Sequence, residues 1–146
     1  MPAHTIKPLV TAIATSTGGR NGHAETTDHS VSVNLSIRKE MGGPGLPNTT
    51  TPEHLFAAGY AACFGGALDF VATQTKKNVS DAVVTCETAV GPREGGGFGI
   101  SVKMSIKSSL PQAELQAIVD ETHNKICPYS HATRGNIDVT FVVTGR

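Results

Sequence analysis

An α+β fold with mainly antiparallel strands follows from three features of this sequence. Three stretches alternate apolar and polar residues with period two: Val31, Val33, Leu35 and Ile37; Phe98, Ile100, Val102, Met104 and Ile106; Ile137, Val139, Phe141 and Val143. That period marks strands with one buried face. Between the first two lies TPEHLFAAGYAACFGGALDFV, residues 51–71, apolar on nearly every side. Later, Leu115, Ile118, Val119, Thr122 and Ile126 recur at the i, i+3, i+4, i+7, i+11 spacing of one helix face. The order is strands, helix, strands, helix, strand, which points to α+β.

Residues 7–17 are rich in Thr, Val and Ile and suit a first strand. Gly18-Gly19-Arg20-Asn21-Gly22 is a turn. A second strand is expected at 23–28 and a third at 31–37. Residues 41–50 carry three Gly and two Pro and form a loop. Thr51 then caps a helix, Pro52 suits its first position, and Glu53 complements the positive end of its dipole. The apolar part between His54 and Asp69 falls short of the roughly 20 residues of a membrane span. A helix apolar all round is then a buried central helix, and a second subunit is a reasonable source of cover. The polar residues 73–80 end it. Strands follow at 82–89 and 98–106, joined by a Gly-rich hairpin loop at 91–97. The second helix starts near Pro111 and reaches Cys127, where Pro128 stops it. The last strand covers 137–143.

The chain's 146 residues read as one domain, 1–146, large enough for a real core. The formal net charge is zero, which gives no electrostatic case for nucleic acid or an anionic membrane. The N-terminus MPAHTIKPLV lacks the apolar core of a signal peptide, so a cytoplasmic location is expected. Three cysteines at wide spacings do not make a secreted disulfide framework.

Cys63 lies inside the central helix, Cys127 at the end of the second helix, and Cys86 in a strand pattern. A buried cysteine is most simply a small hydrophobe. A reactive one must be a thiolate, which burial opposes and a nearby cation favours. Arg20, on its Gly-rich turn, is the candidate cation, against the plainer reading of a solvated loop arginine. A buried guanidinium needs an anion, which Glu53 could supply as a bidentate partner or, more plainly, serve only its helix start. Spacing alone does not say which of these residues meet. His54, His123, His131, Cys63 and Cys127 are metal-ligand types, but no C-x-x-C or H-x-x-x-H pair supports a metal site. No G-x-S-x-G or Cys–His–Asn signature points to hydrolysis. A thiol-based peroxide sensor or lipid-binding module is the non-enzymatic alternative.

GGRNG (18–22), TPEHLFAAGYAACF (51–64) and ICPYSHATRGNIDV (126–139) resemble the organic hydroperoxide resistance (Ohr) proteins of the OsmC/Ohr superfamily. The resemblance spans essentially the whole chain. It implies an OsmC-like, intertwined α+β homodimer and a cysteine peroxidase reducing organic and lipid hydroperoxides to alcohols. It further implies Cys63 as the peroxidatic cysteine and Cys127 as the resolving one. Arg20 would activate the thiolate and Glu53 orient that arginine. Where the family commonly reads Asn-Pro-Glu-Gln, this chain has Thr51-Pro52-Glu53-His54. Electrons would come from dihydrolipoyl groups on lipoylated proteins, with no bound cofactor and no metal. The wider OsmC branch, of similar chemistry and different substrate preference, is the nearest alternative.

Overall fold

The computed structural model describes residues 5–146, which divide into two compact units between Pro52 and Glu53. The first unit is a three-stranded antiparallel sheet. Its strands are β1 (Ala14–Thr17), β2 (His23–Thr26) and β3 (Ser32–Asn34), with β2 in the middle. The expected first strand keeps only its last four residues. Asp28 is the reason: its carboxylate accepts from the hydroxyls of Thr26 and Ser30 and from the Ser30 backbone, turning the chain straight after Thr26. Beyond the Thr27 N–H to Ile13 carbonyl bond, β2 offers residues 7–13 nothing to pair with. The third strand is likewise shorter than expected, although Leu35 continues it through a bridge to Thr50.

Between β1 and β2 the Gly-rich turn has a clear backbone logic. Gly18 and Gly19 sit at φ 79° and 56°, the left-handed region that glycine enters freely. A side chain at Gly22 would run into the Thr17 carbonyl. Arg20 rides on the resulting 3₁₀ turn, Gly19–Asn21, and the Asn21 side chain ties that turn down by accepting the Ile37 N–H at 2.9 Å.

The second unit begins with helix α1 (Pro52–Gln74), close to its expected bounds. Strands β4 (Val83–Pro92) and β5 (Phe98–Lys107) form the expected hairpin, and β6 (Val139–Thr144) completes a sheet of order β4-β5-β6. β4 and β5 are antiparallel, whereas β5 and β6 are parallel. A helical crossover separates those last two strands, and a crossover is what returns a strand in the parallel sense. Val102, Met104 and Ile106 from β5 face Tyr60, Phe64, Leu68 and Val71 from α1 in one core. Helix α2 (Gln112–Glu121) adds Leu115, Ile118 and Val119, the face that its spacing predicted.

The second unit departs from expectation as well. The end of the second helix widens into a π turn, Thr122–Ile126. Pro128 does stop that helix, but it also opens a third, α3 (Pro128–Thr133), by occupying a first-turn position where its missing N–H costs nothing. Helix α1, for its part, is buried along one stripe rather than all round. Tyr60, Phe64, Ala67, Leu68, Val71 and Ala72 are covered, while Leu55 and Phe70 are exposed. At 23 residues it has the length and composition to cross a membrane. Here it supplies the spine of the second unit's core, with Asp69 exposed on its outer side.

Candidate active site

Cys63 sits midway along α1 and Cys127 at the junction of the π turn and α3. Their sulfurs lie 3.6 Å apart, both as free thiols. Local chemistry sets the approach. At the π turn the Cys127 N–H reaches back five residues to the Thr122 carbonyl at 2.9 Å, and Thr122 bonds the Ile118 carbonyl at 2.7 Å. Such π bulges recur at functional sites because they re-aim the residue that follows. Cys127 is fully buried and Cys63 half-buried.

Burial pushes the Cys63 thiol above its ordinary pKa. The backbone N–H of Tyr129, bonded to the sulfur, partly offsets this, and the neighbouring Cys127 raises it further. Tyr129 also packs its ring over α1, where Gly59 leaves room: a Cβ there would meet the Tyr129 hydroxyl at 3.1 Å. Phe56 and Tyr60 flank that ring, with centroids 6.1 and 5.8 Å away. Phe56, Gly59 and Cys63 thus share a helix face under Tyr129. Phe64 belongs elsewhere, buried against Phe141.

Behind the thiols runs a buried polar chain. The Tyr60 hydroxyl lies 2.8 Å from Ser130 Oγ and 3.0 Å from Thr133 Oγ1, and Ser130 Oγ lies 2.8 Å from His123 Nδ1. Arg134 donates to the His123 carbonyl at 2.7 Å and meets His131 Nδ1 at 2.8 Å, while His131 Nε2 reaches the Lys125 carbonyl at 3.0 Å. Cys127 is therefore bracketed by two elements that are cross-linked to each other.

Of the expected site residues, Cys63 and Cys127 stand side by side within the second unit. Arg20 lies half-buried in the first unit. Glu53 is half-buried in the first turn of α1, ten residues before Cys63, or about 15 Å of helical rise. Its carboxylate does not touch the thiol of its own chain. Cys86, on β4, contacts Thr88 at 3.6 Å rather than another thiol. Among the described residues no three His, Cys, Asp or Glu side chains gather as a metal site. Sequence reasoning gave no site role to Tyr129, Tyr60 or Ser130 and took His123 only as a metal-ligand type. Tyr129 and Ser130 stand in the run CPYSH, whose proline it read as a helix stop and which it otherwise used only as part of a family motif.

These features define a class, an α+β domain with a paired-thiol centre where a π turn meets a short helix. The chain belongs to the OsmC-like protein family, whose model matches residues 43–142. It is 49% identical over 139 residues to the organic hydroperoxide resistance protein of Xanthomonas axonopodis pv. citri (strain 306), covering 94% of this chain and 96% of that one. Against organic hydroperoxide resistance protein OhrA of Bacillus subtilis (strain 168) the identity is 36%, covering 94% and 97%. Among solved structures, the organic hydroperoxide resistance protein of Legionella pneumophila matches with a TM-score of 0.88 at 43% identity, covering 94% of this chain and 99% of that one.

Proposed function

We propose that this chain is a cytoplasmic, homodimeric thiol peroxidase that reduces organic and fatty-acid hydroperoxides to alcohols. The observation that carries the reading is the pair of free thiols 3.6 Å apart, one fully buried and one half-buried. The names of its relatives support it. In the first step the Cys63 thiolate attacks the distal oxygen of R–O–O–H. The O–O bond breaks, the alkoxide takes a proton and leaves as alcohol, and Cys63 becomes a sulfenic acid. Cys127 then attacks that sulfur. The S–S bond forms, the S–O bond breaks, and hydroxide leaves as water with the thiol's proton. A dithiol such as dihydrolipoamide restores both thiols by exchange.

Arg20 has two roles in this scheme. It offsets the burial that raises the Cys63 pKa, and it stabilises charge as the O–O bond breaks. Glu53 orients Arg20 through an ion pair instead of touching the thiol. The uncovered apolar residues of α1, Leu55 and Phe70, support a second copy as cover.

A steady-state assay tests this directly. Cumene hydroperoxide with dihydrolipoamide should give sustained turnover, well above that with hydrogen peroxide or with thioredoxin. Cys63→Ser should abolish it. Cys127→Ser should consume one equivalent, stall as sulfenic acid, and overoxidise with excess peroxide. Consumption limited to one equivalent in the wild type would make the protein a sensor and not an enzyme. Substantial turnover in Cys63→Ser would assign the nucleophile elsewhere.

A further inference from the structure

We infer that the Tyr60–Ser130–His123 hydrogen-bond junction is the device that holds Cys127 in reach of Cys63, so that these three residues are positioning residues for disulfide closure. The inference rests on the thiol-pair reading above and adds residues to it.

Connectivity is the first argument. Tyr60 stands three residues before Cys63 on α1, Ser130 three residues after Cys127 on α3, and His123 four residues before Cys127 on the π turn. One atom, Ser130 Oγ, meets both of the others at 2.8 Å. It therefore joins the element that carries one thiol to both elements that flank the other. Burial is the second argument. Tyr60 and Ser130 are both at 0% exposure, so no water can replace a lost partner cheaply. The third is that the hydrogens close. Thr133 can donate to Tyr60, Tyr60 to Ser130, and Ser130 to His123. The chain also runs in reverse, because Thr133 can then donate to the Ser130 carbonyl at 3.4 Å. Desolvation keeps the Tyr60 hydroxyl protonated and able to donate.

The consequence is geometric. A disulfide needs its sulfurs about 2.05 Å apart, so the pair must close by about 1.5 Å from where it stands. A junction that fixes both flanks of Cys127 relative to α1 makes this a short displacement of one side chain and not a search by a loose turn. Its loss widens the distribution of Cys127 in the dithiol state and lowers the effective concentration of one thiol for the other.

The test is the thiol–disulfide equilibrium of the full chain in glutathione buffers. In this exchange the dithiol gives two electrons and two protons to glutathione disulfide, which leaves as two thiols. No peroxide is involved, so failure of the peroxidase reading and failure of this inference are separable. Tyr60→Phe removes only the hydroxyl and should lower the constant for disulfide formation about tenfold, as expected for a buried hydrogen bond. His123→Leu should do the same at a half-exposed position where folding survives. His123→Asn, which keeps an amide near the place of Nδ1, should recover most of the loss. In single-turnover oxidation by cumene hydroperoxide, the closure rate should fall relative to the first oxidation rate in Tyr60→Phe and His123→Leu. Folded variants whose glutathione constants stay within about twofold of wild type, or a His123→Asn no better than His123→Leu, would overturn the assignment.

Discussion

The two units of this molecule hold their proposed site residues in opposite ways. Residues 53–146 contain the entire buried hydrophobic cluster, and Cys127 is part of it. Among the described residues of the first unit, Leu35 is the one buried hydrophobic side chain. Its strands are three or four residues long, and Ile6, Leu9 and Val10 are 79%, 95% and 90% exposed. A sheet that small with so little burial is marginal by itself. The thiol pair is thus fixed by a core that this chain builds within one unit. The turn that carries Arg20 is fixed by glycine geometry and a few hydrogen bonds. Placement by packing is robust to surface change.

Stability should show the contrast most strongly. Leu115→Ala, at 0% exposure, should cost ~2–5 kcal/mol in urea unfolding, whereas Val33→Ala in the half-buried centre of β3 should cost less than ~1 kcal/mol. Equal losses at the two sites would remove the distinction. A smaller effect is expected from the proposed role of Arg20. Arg20→Ala should raise the Cys63 pKa and slow its alkylation at neutral pH about tenfold, the equivalent of one pKa unit. Glu53→Ala should do less, and should add nothing in an Arg20→Ala background. An alkylation profile against pH that matches wild type would remove Arg20 from the site.

The smallest effect concerns His123. Burial, and then the charge of Arg134, hold its imidazole below the ordinary histidine value, while Asp120 works against them. The unfolded chain therefore takes up a proton near pH 6.5 that the folded chain refuses. Stability from this source is complete above that pH. It is lost as pH falls from there toward the lower folded pKa, and changes no further below it. Half-exposure screens the effect to within ~1 kcal/mol. His123→Asn should flatten this part of the melting-temperature profile between pH 7 and 5, and an unchanged slope would place the titration on another group.

Much of this was legible in the sequence, because it depends on neighbours a few residues apart. Alternation placed β4, β5 and β6, since a strand's two faces are two residues out of phase. The spacing of Leu115, Ile118, Val119 and Thr122 named the buried side of α2 for the same local reason. Pro52 and Glu53 marked the start of α1. The rest was decided by partners distant in the chain. Residues 7–13 have strand composition and no strand, because β2 turns away at Thr26. Nothing in 137–143 announces a parallel partner, since direction is set by the crossover before it. Pro128 reads equally well as the end of one helix or the start of another, and it is both. The 3.6 Å between Cys63 and Cys127, 64 residues apart, comes from the packing of α1, the π turn and α3, which also meet at one buried serine hydroxyl. Periodicity fixes which face a residue occupies, and only packing fixes which residue it meets there.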